Sequence, residues 1–207
     1  MKKKIALIIL SLLLFVSFVA FTFIVRQDYL NQFDFNTTVR LQNYIPKKFD
    51  GLFSSLSLLG SFEILVGLLF IIFVFRKKLV SLLIFIPFTI AHLVELVGKS
   101  LLDHPGPPHQ FFRYNIEFLF PSSYVQPGSS YPSGHSLRVV FVSVIISYLI
   151  NHSKISKYNK IIFNFLLFFF NGLMLVSRIS LGEHWTTDVI GGTLLGLSSG
   201  IAALIFL

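Results

Sequence analysis

The sequence contains no cysteine, and only 13% of its 207 residues are charged. Without cysteine there is no disulfide framework and no thiolate to act as a nucleophile or metal ligand. Soluble domains carry about 25% charged residues, so the low charge also argues against a water-soluble domain. The chain is instead 54% hydrophobic, with 25 Phe and a mean hydropathy of +0.78. These values are typical of an integral membrane protein.

Apolar runs of about 20 residues recur along the chain, and this length crosses the hydrocarbon core of a bilayer. We therefore predict an all-α, polytopic membrane protein that forms a single domain over residues 1–207, with six transmembrane helices in one bundle. The predicted spans are residues 5–25, 53–75, 79–101, 133–151, 161–180 and 186–207. Residues 102–132 form the longest loop, and residues 28–50 mix apolar and polar side chains as an interfacial helix would.

Basic residues cluster at alternate ends of these spans. Nine of the 17 Lys and Arg are Lys2–Lys4, Arg76–Lys78, Lys154, Lys157 and Lys160. The positive-inside rule predicts that these ends are cytoplasmic, as are both termini, in a multi-pass protein of the cell membrane. The net charge of +8 is then mostly a topology signal. The chain has no concentrated, soluble basic surface, so we predict no nucleic-acid partner.

Unusual polar residues fall at the opposite, extracytoplasmic ends of the predicted spans. Ionisable groups inside a membrane are costly and usually functional. The residues in question are His92, Glu95, Lys99, Ser133, His135, Arg138, Ser177, Arg178, His184 and Asp188. One site built from four helices, facing the extracytoplasmic side, would explain them all.

Several of these residues could bind an anion. Lys99, Arg138 and Arg178 supply cationic donors, and an arginine can hold a phosphate through two hydrogen bonds. Pro132-Ser133-Gly134 predicts a helix start, in which Ser133 is the cap and Gly134 permits close approach of the backbone. The free N–H groups of a helix N-terminus bind anions. We therefore predict phosphate chemistry.

The histidines suit nucleophilic catalysis. His184 and Asp188 are four residues apart, so a helix start would place them on one face. A carboxylate on one imidazole nitrogen fixes the tautomer and leaves the other nitrogen free to attack phosphorus. His135 can protonate the leaving oxygen and later activate water. This scheme requires no metal and no cofactor.

These segments closely resemble the signature of the type 2 phosphatidic acid phosphatase superfamily, integral-membrane lipid phosphate phosphatases related to vanadium haloperoxidases. The family pattern is a Lys followed by an Arg-Pro element, then Pro-Ser-Gly-His, then Ser-Arg-x5-His-x3-Asp. Here "PSGH" at 132–135 and "SRISLGEHWTTD" at 177–188 are complete. The resemblance implies that His184 is the nucleophile, Asp188 its orienting partner and His135 the acid/base. The phosphate ligands that it implies are Lys99, Ser133, Gly134 and Arg178.

The first family motif departs from the pattern. In "KSLLDHPGPP", Gly106-Pro107 stands where the family usually has Arg-Pro. One phosphate-binding arginine is therefore missing. Arg138, one turn after His135, is the first candidate replacement, and His104 is the second.

Other polar residues and glycines favour structural roles. Glu95 is four residues before Lys99 and could hold it in place. His92 and Glu63 are interpreted as buried hydrogen-bond partners between helices. Small residues at Gly192, Gly196 and Gly200 predict close helix packing.

The predicted function is hydrolysis of a membrane lipid phosphomonoester or pyrophosphate through a phosphohistidine. Members of the resembled family in bacterial membranes act on undecaprenyl pyrophosphate, phosphatidylglycerophosphate or phosphatidate, and the aromatic loop 111–120 could line the approach of the lipid. Two further candidate functions are a lipid phosphotransferase and a non-catalytic lipid-phosphate binder or transporter. A metal-dependent hydrolase would use His104, His109, His135 and His184, because imidazoles bind zinc.

Overall fold

The computed structural model describes residues 2–76, 79–116, 120–121 and 128–207. They form the helices α1 (Lys2–Arg26), α2 (Asn31–Tyr44), α3 (Asp50–Leu59), α4 (Phe62–Arg76), α5 (Phe85–Leu101), α6 (Gly134–His152), α7 (Lys157–Ser180) and α8 (Thr186–Ala203). Short 3-10 helices cover Lys47–Phe49, Leu79–Ile84, His109–Phe111 and Leu204–Phe206. No strand occurs among the described residues, and the predicted all-α class is confirmed.

Several helices are long and apolar enough to cross a membrane. They are Lys2–Arg26, Leu79–Leu101, Gly134–His152, Lys157–Ser180 and Thr186–Phe206, and the bent pair Lys47–Leu59 and Phe62–Arg76 would add one more. Their positions agree with the predicted spans, although α7 begins four residues before the predicted start at 161. Lys77 and Lys78, which contribute to the charge bias, lie outside the described residues. The protein is a multi-pass membrane protein.

The second predicted span is not one continuous helix. α3 and α4 meet at an angle of 51°, because the chain leaves the helix at Gly60-Ser61. The Gly60 N–H donates to the carbonyls of Leu56 and Ser57 and so closes the last turn of α3. A Cβ on Gly60 would come within 3.1 Å of the His135 ring. The break therefore brings backbone against a predicted catalytic histidine, and the prediction of one helix over 53–75 is wrong at this point.

Helix α8 lies at the centre of the bundle, packed against α6, α1 and α5. A Cβ on Gly192 would overlap the Ser133 carbonyl, and one on Gly196 would lie 2.5 Å from the Leu137 carbonyl oxygen. The backbones of α6 and α8 therefore touch, and the predicted packing role of these glycines is confirmed.

α1 crosses α8 on another side. The Ser11 hydroxyl donates to the Ser198 carbonyl, and the Ser198 hydroxyl donates to the Ser11 carbonyl, each at 2.9 Å. Hydrogen bonds of this kind between membrane helices contribute about 0.6–2 kcal/mol each.

The short helix α2 lies in the segment predicted to be interfacial, and it contacts the end of α7 and the start of α8. Its Asp34 carboxylate is buried and accepts from the Thr187 N–H at 2.8 Å and the Thr187 hydroxyl at 2.7 Å. Its Gln42 amide donates to the carbonyls of Phe111 and Ser180. α2 thus holds together the segments on which the predicted site residues lie.

Candidate functional site

Most of the predicted site residues lie around one cavity of about 870 Å³. Six of them line it directly: Lys99, Gly134, His135, Arg138, Arg178 and His184. Ser133 and Asp188 are fully buried behind that lining. The sequence-based grouping of these residues into one site is therefore reproduced by the fold, although their roles remain predictions.

The start of α6 opens onto the cavity. The Ser133 hydroxyl accepts from the Ser136 N–H at 3.4 Å, so Ser133 is the N-cap, as predicted. Its own N–H donates to the Asp188 carbonyl at 3.0 Å, which ties the start of α6 to the start of α8. Gly134 follows the cap, and a Cβ there would overlap the Glu95 carboxylate. The N-terminal positive end of α6 thus borders the cavity, with the Glu95 carboxylate packed beside it, and a phosphate there would also be near this end.

His184 and Asp188 form the predicted pair. His184 Nδ1 lies 3.3 Å from Asp188 Oδ2, and the same oxygen accepts from the Trp185 N–H at 2.9 Å. Asp188 therefore caps α8 and orients His184 at once. A carboxylate accepts only, so Nδ1 carries the proton and Nε2 keeps its lone pair.

The electrostatic surroundings of His184 favour its neutral form. Burial lowers the pKa of His184 below its usual value, and the cations Arg178 and Lys99 act in the same direction. The hydrogen bond with Asp188 opposes this shift without cancelling it. His184 is therefore unprotonated near neutral pH, as a nucleophile must be.

A tight turn places His184 beside the end of α7. The N–H groups of Glu183 and His184 both donate to the Arg178 carbonyl, at 3.1 and 3.2 Å. Gly182 has a φ of +70°, and a Cβ on it would overlap the Phe111 carbonyl. Only glycine fits this position, for both reasons. The turn carries Arg178 and His184 to the same wall of the cavity.

The cavity cations are paired with carboxylates or carbonyls. Lys99 Nζ donates to Glu95 Oε1 at 2.8 Å. Arg178 forms an ion pair with Glu183 and also donates to the Ser57 hydroxyl. Sequence reasoning missed Glu183, because it lies in the turn between α7 and α8 and has no helical spacing to Arg178.

Arg138 is buried and reaches the cavity from α6. Its Nε donates to the Gly60 carbonyl, and its Nη2 lies 3.4 Å from His135 Nδ1. Gly106, where the arginine of the first motif is absent, lines the same cavity. The replacement of that arginine by Arg138 is compatible with this placement and stays a prediction.

His104 does not line the cavity. Its ring is buried, and its Nε2 lies 3.3 Å from Asp188 Oδ1 and 3.4 Å from the Thr187 hydroxyl. This geometry does not support the interpretation of His104 as a phosphate ligand, because the ring is buried outside the cavity lining and its Nε2 faces Asp188.

The remaining predicted residues have local partners. His92 Nδ1 lies 2.8 Å from Glu95 Oε2 on its own helix, whereas a partner on another helix was expected. His109 stacks on Phe112. Within residues 2–76, 79–116, 120–121 and 128–207, no group of three or more His, Asp or Glu could hold a metal ion.

The outer part of the cavity is apolar. Phe62, Leu96, Phe112, Tyr114 and Ile116 line it alongside the charged groups. Phe62 and Leu96 are also exposed on the outer surface of the bundle. Part of the predicted aromatic approach, residues 117–119, lies outside the described residues.

Comparison with known proteins places these features in a family. A family model described as the PAP2 superfamily matches residues 79–207. Phosphatidylglycerophosphatase B of Bacillus subtilis (strain 168) is 31% identical over 145 residues, which are 67% of this chain and 66% of that protein. The match therefore spans just under two thirds of that relative.

Two crystal structures have a similar fold. The first is a transmembrane PAP2-type phosphatidylglycerolphosphate phosphatase from Bacillus subtilis, with a TM-score of 0.74, 24% identity, and 94% of this chain and 93% of that chain covered. The second is LpxE from Aquifex aeolicus, with a TM-score of 0.61, 24% identity, and 83% of this chain and 94% of that chain covered.

Proposed function

The chain belongs to the PAP2 superfamily, and from that membership we propose that it is a membrane lipid phosphatase. It hydrolyses a lipid phosphomonoester or pyrophosphate through a phosphohistidine and without a metal ion. The observation that carries the proposal is the His184–Asp188 pair, with its free Nε2 at the wall of a cavity that also contains His135 and three cationic side chains.

The reaction has two steps. In the first, His184 Nε2 attacks the phosphorus, the bond from phosphorus to the leaving oxygen breaks, and His135 gives that oxygen a proton. In the second, His135 takes a proton from water, the water oxygen attacks the phosphohistidine, and the P–N bond breaks to release phosphate. Lys99, Arg138 and Arg178 bind the phosphate oxygens, and donors fixed in advance lower the barrier most where charge develops.

The mixed lining of the cavity supports the proposed substrate class. Cations and the α6 N-terminus suit the phosphate, while Phe62, Leu96 and Phe112 suit the adjoining acyl or isoprenoid chain. The name of the 31%-identical relative favours phosphatidylglycerophosphate as the first substrate to test, with undecaprenyl pyrophosphate and phosphatidate beside it. The charge bias of the spans supports a site on the extracytoplasmic side, with both termini cytoplasmic.

The experiment is phosphate release by the purified protein in detergent, in the presence of EDTA, on those three lipids. We expect release on at least one lipid, and His184→Ala should abolish it. His152→Ala is the matched control, because His152 is exposed at the other end of α6. Release that EDTA prevents would favour a metal-dependent hydrolase and would overturn the proposal.

A phosphotransferase and a binder would each give a different result in this assay. A lipid phosphotransferase would move the phosphoryl group to a second lipid, seen as a new phospholipid by thin-layer chromatography with little free phosphate. A non-catalytic binder would retain the lipid without turnover and would be unaffected by His184→Ala.

Orientation has its own test, made simple by the absence of native cysteine. Cysteine can be introduced by Gln110→Cys, at an exposed position beside the cavity, or by Lys157→Cys, at an exposed position at the opposite end of the bundle. In intact cells, an impermeant maleimide should label the first and spare the second. The reverse pattern would overturn the extracytoplasmic site.

A further inference from the structure

The two carboxylate oxygens of Asp188 are held from opposite sides. Oδ2 accepts from the Trp185 N–H and faces His184 Nδ1. Oδ1 lies at ion-pair distance from His104 Nε2, 3.3 Å away, and meets no donor in hydrogen-bond geometry in the part of the chain that the structure describes. Asp188 is fully buried, and an unpartnered buried carboxylate oxygen is costly. The side chain that faces this second oxygen is thus His104.

The neighbours of His104 fix where its proton lies. The Thr187 hydroxyl donates to Asp34 Oδ2 at 2.7 Å, because a carboxylate can only accept. The Thr187 oxygen can then offer only a lone pair to His104 Nε2, which lies 3.4 Å away. Asp188 Oδ1 likewise offers only lone pairs. His104 Nε2 therefore carries a hydrogen, which faces the Thr187 oxygen and, 3.3 Å away, Asp188 Oδ1.

The backbone of His104 is firmly held. Its carbonyl accepts from the Ser130 N–H at 2.9 Å, the Ser130 hydroxyl at 3.1 Å and the Ser129 hydroxyl at 3.2 Å. The next carbonyl, that of Pro105, accepts from the Trp185 indole N–H at 2.9 Å. A side chain anchored in this way can hold a neighbouring group in a defined orientation.

We propose that His104 is a positioning residue that acts through Asp188, its Nε2–H holding the carboxylate in the orientation that aligns His184 for attack. The inference rests on the proposed function, since it concerns the nucleophile of that reaction. It replaces the sequence-based role of His104 in phosphate binding. The residue touches neither the cavity nor the reacting atoms, and its effect passes through the carboxylate alone.

The charged groups around His104 and His184 indicate in which direction the loss of His104 would change the pKa of His184. His104 faces Asp188, Asp34, Asp28 and the ring of Tyr131. Burial alone would lower the pKa of His104, but the hydrogen bond to Asp188 and these acidic groups raise it overall. His184 faces Asp188, Arg178, Lys99 and His135. A hydrogen-bond donor to Asp188 Oδ1 weakens the stabilisation that this carboxylate gives to protonated His184. Loss of His104 therefore raises the pKa of His184.

The first test is steady-state kinetics of His104→Leu, His104→Gln and the control His109→Gln, which is exposed in the same loop. Loss of one hydrogen bond to a charged group corresponds to about a 10- to 100-fold change. For His104→Leu we expect kcat to fall by about that factor, KM to stay within about twofold, and the acid limb of kcat/KM to move to higher pH. His104→Gln should recover most of kcat, because its amide N–H can replace Nε2–H.

Three outcomes would overturn the inference: an unchanged kcat in His104→Leu, a raised KM with kcat intact, or a fall in kcat that Gln does not rescue and that leaves the acid limb in place. The last of these would mean a merely structural role.

The second test does not need turnover. NMR titration of the protein labelled with ¹³C-histidine, with signals assigned by single variants, should give a higher pKa for His184 in His104→Leu than in the parent protein. An unchanged His184 titration would overturn the inference. If the parent protein releases no phosphate from any lipid, the proposed function fails, and this titration still decides the role of His104.

Discussion

Lys99 Nζ lies 2.8 Å from Glu95 Oε1, one turn back on α5 and inside the cavity assigned to the phosphate. Arg178 is paired in the same way with Glu183. Two of the cations that would bind phosphate therefore already have carboxylate partners. A phosphate entering the cavity must compete with these carboxylates, so the affinity of the site depends on how tightly the pairs hold.

Glu95→Gln should therefore destabilise the ligand-free protein more than the protein with phosphate or orthovanadate bound. Removal of one partner of a buried ion pair costs about 3–5 kcal/mol, since the other charge is left uncompensated. We expect a lower Tm in detergent, and orthovanadate or phosphate should raise that Tm by more than it raises the Tm of the parent protein. As a control, the same Tm is measured with a sulfate-free chloride salt, at equal ionic strength, in place of orthovanadate or phosphate. Equal ligand-induced shifts in both proteins would contradict this prediction.

Asp188→Asn should remove the carboxylate that orients His184. The amide can present an N–H to Nδ1 and so favour the wrong tautomer, and the cost in kcat is expected to be on the order of 10³–10⁴-fold. The measurement is single-turnover phosphate release, with Asp103→Asn as control because Asp103 is exposed. A loss below about tenfold would show that the pair seen here does not serve the chemistry.

Arg138→Gln tests the replacement of the missing family arginine. Loss of a charge-assisted hydrogen bond corresponds to about a 10- to 100-fold lower kcat/KM. Gly106→Arg in that background should restore part of the loss, since a Cβ on Gly106 meets only the Ser130 side chain, 3.4 Å away at the closest atom. Gly106→Gln, which is neutral, should restore nothing. If both second substitutions behave alike, charge at position 106 is irrelevant.

Gly192→Ala should separate α6 from α8. The added Cβ would overlap the Ser133 carbonyl, and overpacking of this kind costs about 1–3 kcal/mol. We expect a lower Tm and a lower kcat/KM, because Ser133 caps the helix that begins with Gly134 and His135. Gly172→Ala is the matched control, as nothing lies within 4 Å of a Cβ there. Similar effects in the two variants would rule out the close packing as their cause.

The sequence predicted most of the helices because hydropathy and span length are local properties. It also predicted that His184 lies beside Asp188, although the physical reason differs: His184 precedes α8, and Asp188 meets it where the carboxylate caps the helix at Trp185. The break at Gly60-Ser61 was missed because the span over 53–75 was assigned by length and hydropathy, which pass over a pair of small residues, although a Gly-Ser pair is a known cause of kinks.

The contacts of His104 and Asp34 could not be predicted from one sequence. Asp34 binds Thr187 across 153 positions, and no periodicity links residues so far apart. In the sequence, His104 was the second candidate to replace the missing arginine of the first motif, because it stands within that motif. The fold instead turns its imidazole towards Asp188, which only the packing of the 129–131 segment against α8 determines.

The mutual hydrogen bonds between Ser11 and Ser198 have a consequence for biogenesis. They join the first and last helices of the described chain, and helices leave the ribosome in sequence order. α1 therefore enters the bilayer long before its neighbour α8 has been synthesised. The faces of α5 and α6 that pack against α8 also have no α8 to contact until then. His184 and Asp188, the proposed nucleophile and its carboxylate, arrive with that last helix. On the proposed mechanism, the site is therefore complete only when the helices have closed around α8.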